Sequence, residues 1–253
     1  MGFLDRFFNN DVTVVKNVII VNVLFWLATL KFPFLDNYLG MHYWASSEFN
    51  IFQLVSYLFM HADFNHLFFN MFAVFMFGVV IERVWGSKRF LLYYLVTGIG
   101  AAIVQQIVWA IEYQSLISAL MSGNVEQLIG QENTLRRFFS YHSIELLSAL
   151  DMNQMGNKIA NSLVTIGASG AVFGILLAFG WLFPETRLMM IFIPIPIKAR
   201  IFVALYAIAE LFLGVAKLSN DNVAHFAHLG GMIFGAILGS RMAITKGAAY
   251  VRP

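Results

Sequence analysis

Apolar residues gather in six blocks along this chain, near residues 17–34, 64–82, 90–111, 162–183, 198–216 and 223–243. A helix needs ~20 apolar residues to cross ~30 Å of hydrocarbon, so each block is long enough, or nearly so, to span a bilayer. The pattern predicts an all-α, polytopic membrane protein with a bundle of six transmembrane helices. Between the third and fourth blocks the pattern changes. Leu116, Ile117, Leu120, Met121 and Leu128, and then Leu135, Phe138, Phe139, Leu146 and Leu150, recur at helical spacing among charged residues. They predict an amphipathic helical insertion over 113–158, too poor in apolar residues for a core of its own and therefore flat on the outer leaflet. Pro194 and Pro196 interrupt the run from Leu188 to Ile197, which delays the start of the fifth crossing. The polar, basic segment 82–89 reads as a tight hairpin between the second and third crossings. The loop 35–60, with Tyr38, Tyr43, Trp44 and Phe49, reads as interfacial.

Composition sharpens this picture. Hydrophobic residues make up 59% of the 253 and charged residues only 12%, more apolar side chain than one soluble core can bury. Lys and Arg then set the orientation, because short cytoplasmic loops retain them. With a cytoplasmic N-terminus, Arg6, Lys16, Arg83, Lys88, Arg89, Arg187, Lys198, Arg200, Arg241, Lys246 and Arg252 lie inside. Only Lys31, Arg136, Arg137, Lys158 and Lys217 lie outside. Both termini are thus expected in the cytoplasm, with segment 1–16 before the membrane domain (17–245) and a tail (246–253) after it. The first apolar run reads as a retained anchor, since no small-residue cleavage site follows it. Without cysteine the chain has no disulfide or thiolate site. A net charge of +2 gives no reason to expect nucleic acid.

Polar groups inside a bilayer are costly, about 2.5–3.5 kcal/mol for a charge at a helix centre on insertion scales, so their placement is informative. Three clusters stand out: His61 to Asn70 opening the second crossing, Gly167-Ala-Ser169-Gly170 to Gly174 in the fourth, and His225-Phe-Ala-His228-Leu-Gly-Gly231 in the sixth. Even-numbered crossings begin at the outer face. His66 lies three residues past Asp63, and His228 seven past Asp221. At ~1.5 Å per residue both sit roughly 5–10 Å below that face, and Ser169, eight residues past Asn161, sits ~12 Å below it if the approach is helical and shallower if it is partly looped. Gly170 and Gly174 in the fourth crossing, and Gly231, Gly235 and Gly239 in the sixth, are small-residue repeats that let helices approach closely in lipid, bringing Ser169 against His228. Each feature alone has an ordinary packing explanation. Their coincidence at one depth points to chemistry.

A serine hydroxyl becomes a nucleophile when a base takes its proton, and imidazole suits that role near neutral pH. Ser169 and His228 supply this minimum. No carboxylate on the second, fourth or sixth crossing is placed to orient the imidazole, so a dyad without an acid is expected. His66, the Asn70 amide and the Ser169 backbone N–H are the candidate oxyanion donors.

These motifs, Gly-Ala-Ser169-Gly, His66-Leu-Phe-Phe-Asn70 after Met60-His61, and Ala224-His225-Phe-Ala-His228-Leu-Gly-Gly231, together resemble the rhomboid family of intramembrane proteases. The likeness runs from about Phe52 to Arg241, apart from the insertion. It implies Ser169 as nucleophile, His228 as base, and His66, Asn70 and the Ser169 amide as oxyanion donors. It implies His61 and His225 as supporting hydrogen-bonders, single-span membrane proteins as substrates, no cofactor and no metal. The fifth helix would be a lateral gate. Three departures are visible. Phe52-Gln53 replaces a Trp-Arg pair common in the family's first loop, Phe173 stands where some members have Tyr and would pack on His228, and the third connection is long. The compact form suggests a prokaryotic plasma membrane.

Two other classes remain. One is a non-catalytic rhomboid-like protein that binds membrane proteins, although such relatives typically lack the serine or histidine. The other is a b-type haem or metal protein using His61, His66, Glu210, His225 and His228, since imidazole is a common ligand; a zinc protease is not expected, because no His-Glu-x-x-His occurs. Glu210, the acid within the fifth crossing, reads as structural more readily than as functional. His42 and His142 receive no role.

Overall fold

The computed structural model describes residues 12–142, 151–190, 193–216 and 223–246. In chain order its helices are α1 (Val14–Lys31), α2 (Phe34–Leu39), α3 (Gln53–Ser56), α4 (Phe64–Trp85), α5 (Ser87–Ser122), α6 (Val125–Ile129), α7 (Glu132–His142), α8 (Met152–Ser162), α9 (Ser169–Leu182), α10 (Ala199–Ala216) and α11 (His225–Lys246). Strand β1 (Met41–His42) pairs antiparallel with β2 (Val164–Thr165), and β3 (Arg187–Met190) with β4 (Ile193–Lys198).

Four helices, α1, α4, α5 and α10, are long and apolar enough to cross a membrane. Helix α9 is apolar but has only 14 residues, and α11 has 22 with His225, His228, Ser240 and Arg241 among them. Outward-facing Ile20, Leu24, Leu27, Leu205, Ile208, Phe212 and Ile237 are all at least half exposed, the surface of a molecule whose outer solvent is hydrocarbon.

Local signals fix the helix ends. The Asp63 side chain accepts the His66 N–H at 2.8 Å and starts α4. Gly86, at φ 81, allows the one-residue turn between α4 and α5. Glu82, fully buried, accepts the backbone N–H groups of Thr13, Val14 and Val15 at 2.8–2.9 Å. It thereby caps α1 with a negative charge where the helix dipole is positive.

Helix α5 is the spine, and α9 and α11 pack on it. Tyr93 on α5 donates its hydroxyl to the Gly174 carbonyl at 2.8 Å. A Cβ at Gly174 would lie 2.6 Å from Thr97, and one at Gly100 would lie 2.2 Å from Phe234 of α11. Ten of the 14 residues of α9 are buried, so this short helix is solvated mainly by protein.

The insertion differs from its sequence expectation. Residues 113–122, expected to begin it, continue α5 to a total of 36 residues, roughly 54 Å at ~1.5 Å each and well beyond the ~30 Å hydrocarbon layer. Leu116, Ile117 and Leu120, read as part of a leaflet-facing stripe, are buried against α8. There Gly156 comes so close that a Cβ would meet Met121 at 2.8 Å. Phe138 of α7 is also buried, its ring edge-on to Tyr113 at 5.6 Å. The apolar positions thus form a small core with the far end of α5, which corrects the expectation of a coreless segment flat on a leaflet. Leu146 and Leu150 lie outside the described residues, as do Lys217, Asp221, residues 1–11 of the first terminal segment and residues 247–253 of the last. The late start of α10 at Ala199 follows strand β4, in which Pro194 and Pro196 reside.

Candidate active site

Ser169 is the first residue of α9, so its N–H has no partner within the helix. The chain reaches it through β2, whose pairing with β1 ties this approach to the loop after α2. Between β2 and Ser169 lies Gly167 at φ 121, its N–H bonded to the Tyr57 carbonyl at 2.9 Å. A side chain at Gly167 would strike the His66 ring, since an added Cβ would lie 2.7 Å from both Cε1 and Nε2. The glycine therefore gives His66 its place beside the serine.

His228 enters from α11, where glycines remove the obstacle between helices. A Cβ at Gly231 would lie 1.9 Å from the Gly170 carbonyl oxygen, and one at Gly235 would lie 3.4 Å from the Gly174 Cα. This approach sets His228 Nε2 2.8 Å from Ser169 Oγ, a hydrogen-bond distance. The Phe173 ring lies parallel on the imidazole, centroids 4.3 Å apart at 8°, and itself packs on Tyr206 of α10 at 4.8 Å.

The expectation of a serine-histidine pair without an acid does not describe this geometry. Glu210 projects from the buried stripe of α10 formed by Ala199, Val203 and Gly214, and its Oε2 lies 2.9 Å from His228 Nδ1 and 2.7 Å from His225 Nδ1. All three side chains are less than 10% exposed. Ser169, His228, Glu210 and His225 form one continuous polar chain across α9, α11 and α10.

The remaining predicted residues form a second group. His61 and His66 meet edge to face at 4.9 Å, and among the described residues neither ring nitrogen of the buried His61 makes a well-formed hydrogen bond. Asn70 sits one turn below His66 and donates its amide to the His66 carbonyl at 3.0 Å. Gln53, one of the unusual pair in the first loop, is buried. Its amide donates to the Tyr38 and Glu48 carbonyls at 3.2 and 3.0 Å, while its Oε1 accepts the Asn50 and His42 N–H groups at 3.1 and 3.3 Å. This neutral side chain anchors the loop from its interior.

Glu210, His225 and His228 also offer donor atoms within 4.8 Å of one another, the set among the described residues that could hold a metal ion. Their separations of 2.7 and 2.9 Å are those of direct N–H to carboxylate hydrogen bonds.

A helical membrane protein with a hydroxyl, an imidazole and a carboxylate in line inside its bundle is thus defined by fold and site. The Rhomboid domain model matches residues 48–244, and the chain belongs to the rhomboid family. It is 27% identical over 144 residues to "Rhomboid protein 1, mitochondrial" of Saccharomyces cerevisiae, covering 56% of this chain and 40% of that protein. It is 28% identical over 123 residues to "Rhomboid-like protein 11, chloroplastic" of Arabidopsis thaliana, covering 49% and 43%. To "Rhomboid protease AarA" of Providencia stuartii it is 26% identical over 185 residues, covering 71% and 51%. The chain therefore spans about half or less of the length of these curated relatives. The expectation of a prokaryotic plasma membrane is corrected by the mitochondrial and chloroplastic ones among the relatives. The relatives from yeast and Arabidopsis, with a further mitochondrial one from each of fission yeast and Arabidopsis, point to an organellar membrane.

Proposed function

We propose that this chain is an intramembrane serine endopeptidase that cuts single-span membrane proteins. The observation that carries the proposal is the 2.8 Å contact between Ser169 Oγ and His228 Nε2 inside a helical bundle of the rhomboid family. In this reading Ser169 Oγ attacks the scissile carbonyl carbon as His228 takes the hydroxyl proton, and the electron pair moves onto the carbonyl oxygen. The Ser169 N–H, His66 and Asn70 receive that charge. Collapse breaks the C–N bond, His228 returns its proton to the leaving amine, and water then releases the acyl group by the same two steps. All six apolar helices cross the membrane, with both termini on one side and the site opening toward the other. The organellar names of several relatives support a membrane of that kind as its setting.

The test uses purified full-length protein in detergent micelles with a labelled single-span substrate. Ser169→Ala and His228→Ala are each expected to abolish cleavage while the bundle remains folded, and a fluorophosphonate is expected to label wild-type protein at Ser169. Cleavage by folded Ser169→Ala at the wild-type rate rejects the protease reading. Substrate capture without cleavage by the wild-type protein favours a binding role instead.

A further inference from the structure

We infer that Glu210 is a positioning residue of this site: it accepts the Nδ1–H of His228 and so holds the imidazole in the tautomer whose Nε2 can take the Ser169 proton. The inference deepens the proposed function and rests on it. A neutral imidazole carries one N–H, and which nitrogen bears it is decided by the hydrogen bond that the other makes. With the proton on Nε2, His228 would donate toward Ser169 Oγ and could not act as a base. A carboxylate 2.9 Å from Nδ1 accepts a hydrogen bond from the N–H there and leaves the Nε2 lone pair facing Oγ at 2.8 Å. When His228 becomes imidazolium during the reaction, the same carboxylate is its counter-charge.

Three further observations separate this role from that of an incidental buried acid. Glu210 is the polar member of a stripe of α10 that is otherwise Ala199, Val203 and Gly214, while Ile201, Leu205, Ile208, Leu211 and Phe212 point outward, so the acid faces the one direction where a partner exists. His225, one turn before His228, donates to the same Oε2 at 2.7 Å and restrains the carboxylate from turning away. At Gly214, one turn after Glu210, a Cβ would lie 3.1 Å from the Phe226 ring and 3.2 Å from the His225 Cβ, so α10 and α11 pack tightly beside the acid. The groups facing His228 are then Glu210 and, through Phe173, Tyr206 from α10; Ser169 and Phe173 from α9; and His66 from the α4 side. Because Glu210 rides on α10 while His228 rides on α11, the base is held in its working form only with α10 seated.

The experiment compares wild-type, Glu210→Gln, Glu210→Asp and Ser169→Ala in the full-length protein, measuring kcat and KM on the single-span substrate, metal content, and the 15N resonances of the histidine ring nitrogens. Glu210→Gln is expected to lower kcat about 10²- to 10⁴-fold, with KM within about twofold, and Glu210→Asp to recover part of the loss. In wild-type protein the His228 signals should report a protonated Nδ1 and a bare Nε2, a readout that needs no variant to fold. Overturning results are an Nε2–H tautomer in the wild type, an unchanged kcat in Glu210→Gln, or a stoichiometric metal ion lost on Glu210→Gln. Activity that survives in Ser169→Ala would instead reject the protease reading itself, so the two failures are distinguishable.

Discussion

Gly231 of α11 packs directly on the Gly170 carbonyl of α9, close enough that a Cβ on the former would sit 1.9 Å from that oxygen. Backbone cannot yield as a flexible side-chain end can, so Gly231→Ala must push α11 away from α9 at the level of the Ser169 to His228 bond. Overpacking of this kind costs about 1–3 kcal/mol, and more where the backbone is the obstacle. We expect Gly231→Ala to lower the thermal midpoint in detergent and to remove serine-probe labelling. Gly239→Ala is the control, since its nearest neighbour would be Tyr93 at 3.5 Å, ordinary contact. Equal tolerance of both substitutions would show that the helices do not meet at this seam.

The oxyanion side of the site makes a graded prediction. Asn70→Ala removes one donor and leaves the Ser169 N–H and His66, so kcat should fall on the order of 10²- to 10³-fold with folding retained. Gly167→Ala should do more. It meets a φ of 121 and the His66 ring together, displacing both the serine's approach and a donor. Steady-state kinetics with the single-span substrate orders the two, and a Gly167→Ala enzyme faster than Asn70→Ala contradicts the placement of His66 beside the serine.

How much of this is legible in the sequence follows from what spacing can encode. The pairing of Gly170 and Gly174 with Gly231 and Gly235 can be read directly, because helical periodicity places small residues on one face of each helix. The far end of α5 cannot, because Leu116, Ile117 and Leu120 have the same period whether their stripe meets lipid or α8. Glu210 escapes a search confined to the even-numbered crossings. A spacing signal is present in the sequence all the same: Glu210 lies seven residues before Lys217, as His228 lies seven after Asp221, which predicts one level for the two. Gln53 shows the opposite limit. Its four hydrogen bonds depend on where Tyr38, His42, Glu48 and Asn50 fold, and no local pattern announces that.

On the side of the β3–β4 hairpin, Glu185 bonds Lys198 at 2.7 Å and Arg200 at 3.0 Å. The Lys198 hydrogen bond is the main cause that holds this exposed carboxyl below its ordinary value of 4.5, with the neighbouring charges adding and partial desolvation opposing. For a depressed carboxyl the linked stabilisation is complete above the ordinary value and is lost as pH falls through the lower folded value. The Ala199 amide, bonded to the Thr186 carbonyl at 2.8 Å, reports on this clasp. Its hydrogen-exchange protection, corrected for intrinsic rate, should decline as pH falls below the ordinary carboxyl value of 4.5 in wild-type protein but not in Glu185→Gln. Because the pair is solvent-exposed, added salt should flatten the decline. A slope identical in the two proteins assigns it to another group.

The insertion can be divided by what it covers. Met152 begins α8 next to the end of α5: its Cε would lie 3.8 Å from a Cβ at Gly123, and the Asn153 amide reaches the Met121 carbonyl at 3.4 Å. The chain therefore leaves α5 and returns to it at nearly the same point, so a short Gly/Ser linker can join Gly123 to Asp151 without moving either end, and closing a shorter loop carries little extra entropic cost. Helix α8 is different, since it covers Leu116, Ile117 and Leu120, and its Asn161 receives the Ser46 hydroxyl at 2.8 Å just before β2 leads to Ser169. Replacing 124–150 by the linker takes Phe138 from its place on Tyr113 and should lower the thermal midpoint, but it should preserve serine-probe labelling. Removing α8 as well should expose the end of α5 and abolish labelling. If the excised part also selects substrates at the cavity mouth, cleavage of the native membrane substrate falls in the first variant while probe labelling stays. Unchanged cleavage in that variant leaves residues 124–150 without a part in selection, and loss of probe labelling there would show that α6 and α7 support the site itself.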